Sequence, residues 1–197
     1  RHPVWVAYHV PQEAAFNIDT RPGFTKDKSV KNSPPATSYA RSGYDRGHMA
    51  PNADMPTKAA QFDSFSLANM VPQAPKNNQQ VWRELEEATR AIVTKQKQDV
   101  YVITGPVFAG KKLKTIGNGV IVPTAVYKAV YMPKTGAIGA YYAPNDNSLK
   151  VRIVSVCYLE EQLGINLFPQ LTEEQKRNTY RLPLTAKAVK ANQKIEY

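Results

Sequence analysis

At 197 residues the chain can bury one sizeable core, and no Pro/Gly/Ser-rich linker or composition break marks a second domain, so residues 1–197 are read as a single domain. Its 26 Lys+Arg against 16 Asp+Glu give a formal net charge of +10 and a pI near 9.6, which favours a polyanionic partner, nucleic acid first and an acidic membrane surface second. One cysteine, Cys157, excludes an intramolecular disulfide, three histidines exclude a Cys/His structural zinc site of the usual ligand count, and no apolar stretch reaches the about 18 residues a spanning helix needs.

In chain order, residues 4–10 are rich in β-branched and aromatic side chains and read as a strand that stops at Pro11, which has no backbone donor. Residues 19–42 are polar, carry Pro22, Pro34 and Pro35, and show no period; they read as a long ordered loop with Arg21 near its start. The basic residues are dispersed, with no run of five, which predicts a folded basic surface rather than a disordered arm.

Residues 45–51 read Asp45-Arg46-Gly47-His48-Met49-Ala50-Pro51, and 21 residues after His48 comes Asn69-Met70-Val71-Pro72-Gln73, then Asn78, Trp82, Glu86 and Arg90 at four-residue steps. From about 78 to 97 good helix formers run without Gly or Pro and predict a helix. At about 100° per residue, Val81, Leu85, Ala88 and Ile92 make a core-facing stripe, with Asn78, Trp82, Glu86 and Arg90 as a slowly turning row beside it. Strands are predicted over 101–104, 119–123, 125–131, 137–142 and 151–156, separated by Gly, Pro and Asn, and together suggest a largely antiparallel sheet. Cys157, in the apolar run 154–158, reads as a buried, unreactive thiol, and Thr172 to Gln175 fits a capping box opening a short helix.

These residue types point to phosphodiester cleavage. A neutral imidazole can take a proton from water near pH 7, which makes His48 the candidate base. Guanidinium groups hold phosphate by paired hydrogen bonds, the role expected of Arg46 and Arg90, and Gly47 would let backbone approach a bulky anion. A hard divalent ion keeps most of its water and accepts one or two protein oxygens, so Asn78 is an adequate anchor. Counting back from Trp82 and Glu86 selects Asn78 over its neighbour Asn77, from which little effect is expected. Eight residues at about 1.5 Å rise put Glu86 about 12 Å from Asn78, which assigns it to the outer shell of the ion. Asp45 is expected to fix local backbone or brace an arginine, and Asp54 to serve as a second carboxylate or a turn cap.

With these residues in view, Asp45-Arg46-Gly47-His48, Ala50-Pro51, Asn69-Met70, Pro72-Gln73, Asn78, Trp82, Leu85-Glu86 and Arg90, the chain resembles the DNA/RNA non-specific endonucleases. That family of ββα-metal, or His-Me finger, nucleases includes mitochondrial endonuclease G. The match is close over residues about 40 to 95 and general elsewhere. The resemblance implies an α+β fold with a central, mostly antiparallel sheet flanked by helices, dependence on Mg²⁺ with Mn²⁺ as a substitute, and cleavage of DNA and RNA to 5′-phosphorylated products. It implies that His48 is the general base, Asn78 the sole direct protein ligand of the metal, and Glu86 a ligand through water. Arg46 and Arg90 would contact phosphate, Asn69 would organise the site within the substrate-binding set, and Arg21 matches an upstream phosphate-contacting arginine.

Two other classes fit the same features: an inert nucleic-acid-binding module and a nuclease toxin domain of a larger polyprotein. An inhibitor protein and a second copy of the chain stay open as partners, and membrane insertion is not expected. The start at Arg1 lacks an apolar signal region and reads as a mature, secreted or periplasmic form whose targeting segment has been removed, with the mitochondrial intermembrane space as the alternative.

Overall fold

The structure, a computed structural model, describes residues 3–12 and 22–193. Its elements in chain order are β1 (Val6–Val10), β2 (Asp45–His48), α1 (Lys58–Asp63), β3 (Met70–Gln73), a π turn (Asn77–Trp82) running into α2 (Arg83–Gln96), and β4 (Val100–Val107). They continue with β5 (Thr115–Ile116), β6 (Val120–Ile121), β7 (Ala125–Met132), β8 (Ala137–Pro144), β9 (Arg152–Val154), α3 (Val156–Leu163) and α4 (Glu173–Arg177). Five strands form one antiparallel sheet in the order β1-β4-β7-β8-β9, and β2-β3 and β5-β6 are separate antiparallel pairs.

The central strands β4, β7 and β8 lack a clear polar/apolar alternation because helices cover both faces of the sheet. On one face Leu85 and Ile92 of α2 pack against Val100, Val102, Val126 and Val130. On the other, Val156 and Leu159 of α3 meet Tyr127, Ala129, Ile138 and Ala140. Leu85 and Ile92 are each 1% exposed, so truncating either to alanine costs about 2–5 kcal/mol. Along β7 the α2-facing positions are Val126, Lys128 and Val130, which puts a lysine inside the core with no exposed surface.

Asn145, just past β8, ties this sheet to the β2–β3 pair. Its Nδ2 donates to the carbonyls of Pro72 and Pro123, and its Oδ1 accepts from the Ala74 N–H.

Three sequence expectations are corrected. The strand expected over 151–156 stops at Val154, because Ser155 accepts from the Tyr158 N–H and caps α3, which ends at Gly164 in the left-handed region (φ 68°). Cys157 therefore sits on this helix and is half-buried rather than buried as expected. The regular helix begins at Arg83, not 78, and Trp82 belongs to the core rather than to an exposed row. The expected loop is irregular from residue 22 until a 3₁₀ turn at Ala36–Tyr39, and it is tied down where Thr25 exchanges backbone hydrogen bonds with Phe65 and Leu67. The expected capping box at Thr172 and Gln175 is present at α4. Among the described residues no helix is long and apolar enough to cross a membrane.

Candidate active site

Two antiparallel strands and the helix that follows them carry the site. In the β2–β3 pair Asp45 faces Gln73, Arg46 faces Pro72, Gly47 faces Val71 and His48 faces Met70. A Cβ on Gly47 would lie 2.0 Å from Gln73 Oε1, so this buried glycine makes room for Gln73 and not, as expected, for an anion. His48 closes β2 with its ring edge-on to Phe65 at 4.8 Å and tilted to Phe24 at 5.8 Å.

The chain leaving His48 is clamped by Asn69. Its Oδ1 accepts from the Ala50 N–H, its Nδ2 donates to the Ala50 and Ser64 carbonyls, and its own carbonyl accepts from the Met49 N–H. Both side-chain atoms of Asn69 are engaged by backbone and the residue lies outside the cleft lining, so its bonds in this structure hold the backbone that follows His48.

Next the chain makes a π turn, whose i→i+5 bonds widen the spiral. The widening re-phases the row expected at four-residue steps: Asn78 and Arg83, five apart, line the cleft together, while Trp82, four apart, is wholly buried. Asn77 pins the turn from inside, accepting from Gln73 Nε2 at 2.5 Å and donating to the Pro144 carbonyl. Asn77 is thus held inside the turn as a structural residue, while Asn78, chosen over it by spacing, is the one that lines the cleft. Asn78 donates from Nδ2 to Asp45 Oδ2 at 3.0 Å, and Gln79 donates to the same oxygen at 2.8 Å. Asp45 therefore braces Asn78, not an arginine.

His48, Arg46, Asn78, Glu86 and Arg90 all line one open cleft of about 1050 Å³, together with Phe24, Tyr44 and Arg83. The Arg46 guanidinium lies 5.0 Å from the Phe24 ring centroid and 6.0 Å from that of Tyr39; its one hydrogen bond among the described residues is Nη2 to the Ala36 carbonyl. Arg90 is held by Nε to Asp54 Oδ1 at 2.8 Å, which leaves its terminal nitrogens for an anion. Asp54 is 2% exposed and off the cleft lining, so it is the arginine's counter-ion rather than a second cleft carboxylate. Arg21 lies outside the described residues.

Behind the cleft lies a charge cluster that sequence reasoning missed. Lys128 donates from Nζ to the Tyr8 hydroxyl at 2.9 Å and sits 5.5 Å from the Trp82 ring. Burial pushes Glu86's carboxyl up to about 7, opposed by the charges of Lys128 and Arg90, while Asp54 is also raised by burial. Lys128 is lowered by burial against the opposing pull of Glu86 and Asp54, and Tyr8 is raised by burial and by both carboxylates. The available signal was a lysine in the middle of an otherwise apolar strand, since an ion there must find partners inside.

Similarities to known proteins fit this arrangement. A family model described as DNA/RNA non-specific endonuclease matches residues 1–174. A Danio rerio protein named "Nuclease EXOG, mitochondrial" is 35% identical over 200 residues, 89% of this chain and 58% of that protein. The Homo sapiens protein named "Endonuclease G, mitochondrial" is 33% identical over 194 residues, 87% of this chain and 65% of that protein, and a Nostoc sp. protein named "Nuclease" is 32% identical over 190 residues, 85% and 67%. The chain thus spans 58% to 63% of the first curated relatives it matches. The EndoG chain of a crystallised EndoG/EndoGI complex superposes with a TM-score of 0.76 at 29% identity, covering 88% of this chain and 81% of its own. The fold is accordingly α+β, of the ββα-metal nuclease type.

Proposed function

The chain belongs to the DNA/RNA non-specific endonuclease family, and on that premise we propose that its cleft hydrolyses phosphodiester bonds of DNA and RNA, as a single domain, using a divalent cation and leaving 5′-phosphorylated ends. The observation that carries the reading is the bond from Asn78 Nδ2 to Asp45 Oδ2, because it leaves Oδ1 as the amide atom available to a cation in a cleft shared with His48, Arg46 and Arg90.

The donor set suits a hydrated hard ion. Among the described residues no three His, Cys, Asp or Glu side chains cluster as a metal cage, whereas Mg²⁺ needs one or two protein oxygens and keeps its waters. Asn78 would be the direct ligand and Glu86 would hold metal water, with Mg²⁺ the ion and Mn²⁺ its substitute. The bound cation would offset the charge that builds on the phosphorane-like transition state. His48 takes the proton from the attacking water, and Arg46 and Arg90 hold the phosphate in line. Asp45 and Asp54 keep Asn78 and Arg90 aimed.

An inhibitor protein as partner draws support from the EndoG/EndoGI complex, and a mitochondrial location from the names of the eukaryotic relatives. The test is digestion of matched single- and double-stranded DNA and RNA with Mg²⁺, Mn²⁺ or EDTA, followed by end-labelling. We expect metal-dependent cleavage of all four to 5′-phosphorylated ends. Binding without hydrolysis under either metal would replace the enzyme with an inert binding module.

A further inference from the structure

Resting on that reading, we propose that the nucleic-acid track continues beyond the cleft past Tyr44 into a second hollow, where Lys114 holds a backbone phosphate flanking the scissile one. Tyr44 lines both the cleft and this hollow of about 260 Å³, so the two adjoin at a single side chain. Lys114 lines the hollow with its Nζ 5.0 Å from the Tyr44 ring centroid. Among the described residues its ammonium meets no carboxylate within ion-pair distance.

The amide acceptors around the hollow are engaged, and the carboxylate there is held by its neighbours while keeping its charge. Asp146, the carboxylate on its wall, accepts through Oδ1 from the Ser148 N–H at 2.9 Å. Asn145 uses both side-chain atoms on backbone, and Asn147 Oδ1 accepts from the Lys76 N–H at 3.0 Å. The hollow therefore presents the Lys114 ammonium as the group able to meet a phosphate, beside the ionised Asp146 carboxylate on the same wall.

The position of that cation is fixed by the fold. The Lys114 carbonyl accepts from the Val122 N–H at 2.8 Å, immediately before the β5–β6 pair, and Gly117 in the same hairpin packs so closely on Ser38 that a Cβ would lie 2.5 Å from the Ser38 carbonyl. Lys111 and Lys112, three and two residues before Lys114, are also exposed. A cation one side chain away from a cleft that itself carries Arg46, Arg83 and Arg90 suits a chain with a negative charge at every nucleotide better than a small anion.

The experiment uses the intact chain with Lys114→Gln, alone and with Lys111→Gln and Lys112→Gln. Binding of a 24-nucleotide duplex is followed in EDTA by fluorescence anisotropy across NaCl concentrations, and Mg²⁺-supported cleavage is compared for a long duplex and a dinucleotide. Each phosphate that a variant no longer neutralises should flatten the slope of log K against log salt by about 0.9. The KM for long duplex should rise with kcat unchanged, dinucleotide cleavage should hold, and Lys114→Arg should keep the wild-type slope. A correctly folded variant with the wild-type slope overturns the extension alone, as does equal loss on dinucleotide and long duplex. Binding of polyglutamate that is lost in Lys114→Gln while duplex binding persists reassigns the hollow to an acidic peptide and also overturns it. A wild-type chain that neither binds nor cleaves nucleic acid overturns the proposed function itself.

Discussion

Asn78 donates from Nδ2 to Asp45 Oδ2 at 3.0 Å, across 33 residues of sequence, so the strand that ends in His48 also aims the amide that would hold the cation. One short strand would thereby couple the proposed base and the proposed metal anchor. Removing the brace in Asp45→Ala frees the amide to rotate, and outer-shell losses of this kind usually cost about 10- to 100-fold in metal affinity or activity. We expect the Mg²⁺ concentration needed for half-maximal cleavage to rise by about that factor. A metal titration with an unchanged midpoint would mean the amide holds its aim without Asp45.

The two adjacent asparagines should separate by readout. Asn78→Ala removes the direct anchor and should leave little turnover even at saturating Mg²⁺ while folding normally, since its side chain is part-exposed. Asn77→Ala strands the buried Gln73 amide and the Pro144 carbonyl, each worth about 1–3 kcal/mol when left without a partner. It should therefore lower the unfolding midpoint in urea. The division fails if Asn77→Ala unfolds like wild type and loses only activity.

His48→Ala removes the base but none of the residues that hold phosphate or metal. General-base removal typically costs about 10² to 10⁴ in rate, so kcat should fall by that factor while duplex affinity in EDTA stays within about twofold. Wild-type turnover in this variant would remove His48 from the mechanism.

Much of the site was legible because its chemistry is written in residue types: His48, Arg46, Asn78, Glu86 and Arg90 do share one cleft. The strands β4, β7 and β8 were equally legible as apolar runs between Gly and Pro. What stayed hidden depends on partners far along the chain. Pro72 and Gly47 disguise the β2–β3 pair, because the strand propensity of that segment is set by Gln73 filling the space above Gly47. The π turn is held by Asn77, which bonds locally to Gln73 and across 67 residues to the Pro144 carbonyl, a contact that no local period reports. Lys128 was visible as an anomaly in β7, but its partners Tyr8, Glu86 and Asp54 come from three other segments.

Gly47 tests the first of these contacts. A methyl group there would collide with Gln73 at 2.0 Å from Oε1 and 2.7 Å from Cβ, and Gln73 is fully buried with no direction in which to yield. Gly47→Ala should therefore destabilise by about 1–3 kcal/mol, the usual cost of overpacking, and displace Arg46 and His48 on either side. Gly47→Ala combined with Gln73→Gly, which removes the Cβ as well as the Oε1, should be more stable than Gly47→Ala alone if the collision is the cause. A double variant no more stable than the single would locate the strain elsewhere.

Glu86 ties stability to pH through the charge cluster. Its carboxyl is raised to about 7 by burial, so between the ordinary carboxylate value of about 4.3 and about 7 the folded chain binds more protons than the unfolded chain. Stability in EDTA should be highest at the acid side of that window and fall as pH rises through about 7, with Asp54 adding to the fall in the same sense. Lys128 acts with the opposite sign in a different window: lowered by burial, it binds fewer protons when folded, so stability rises with pH as its ordinary value near 10.4 is approached. Glu86→Gln keeps the shape and cannot ionise, so its urea midpoint between pH 5 and 8 should vary less than that of wild type. Mg²⁺ should oppose the fall in wild type, because a cation held through Glu86 favours the ionised carboxylate, and should have no such effect in Glu86→Gln. Identical pH profiles for the two proteins in EDTA would mean that Glu86 does not carry the raised carboxyl.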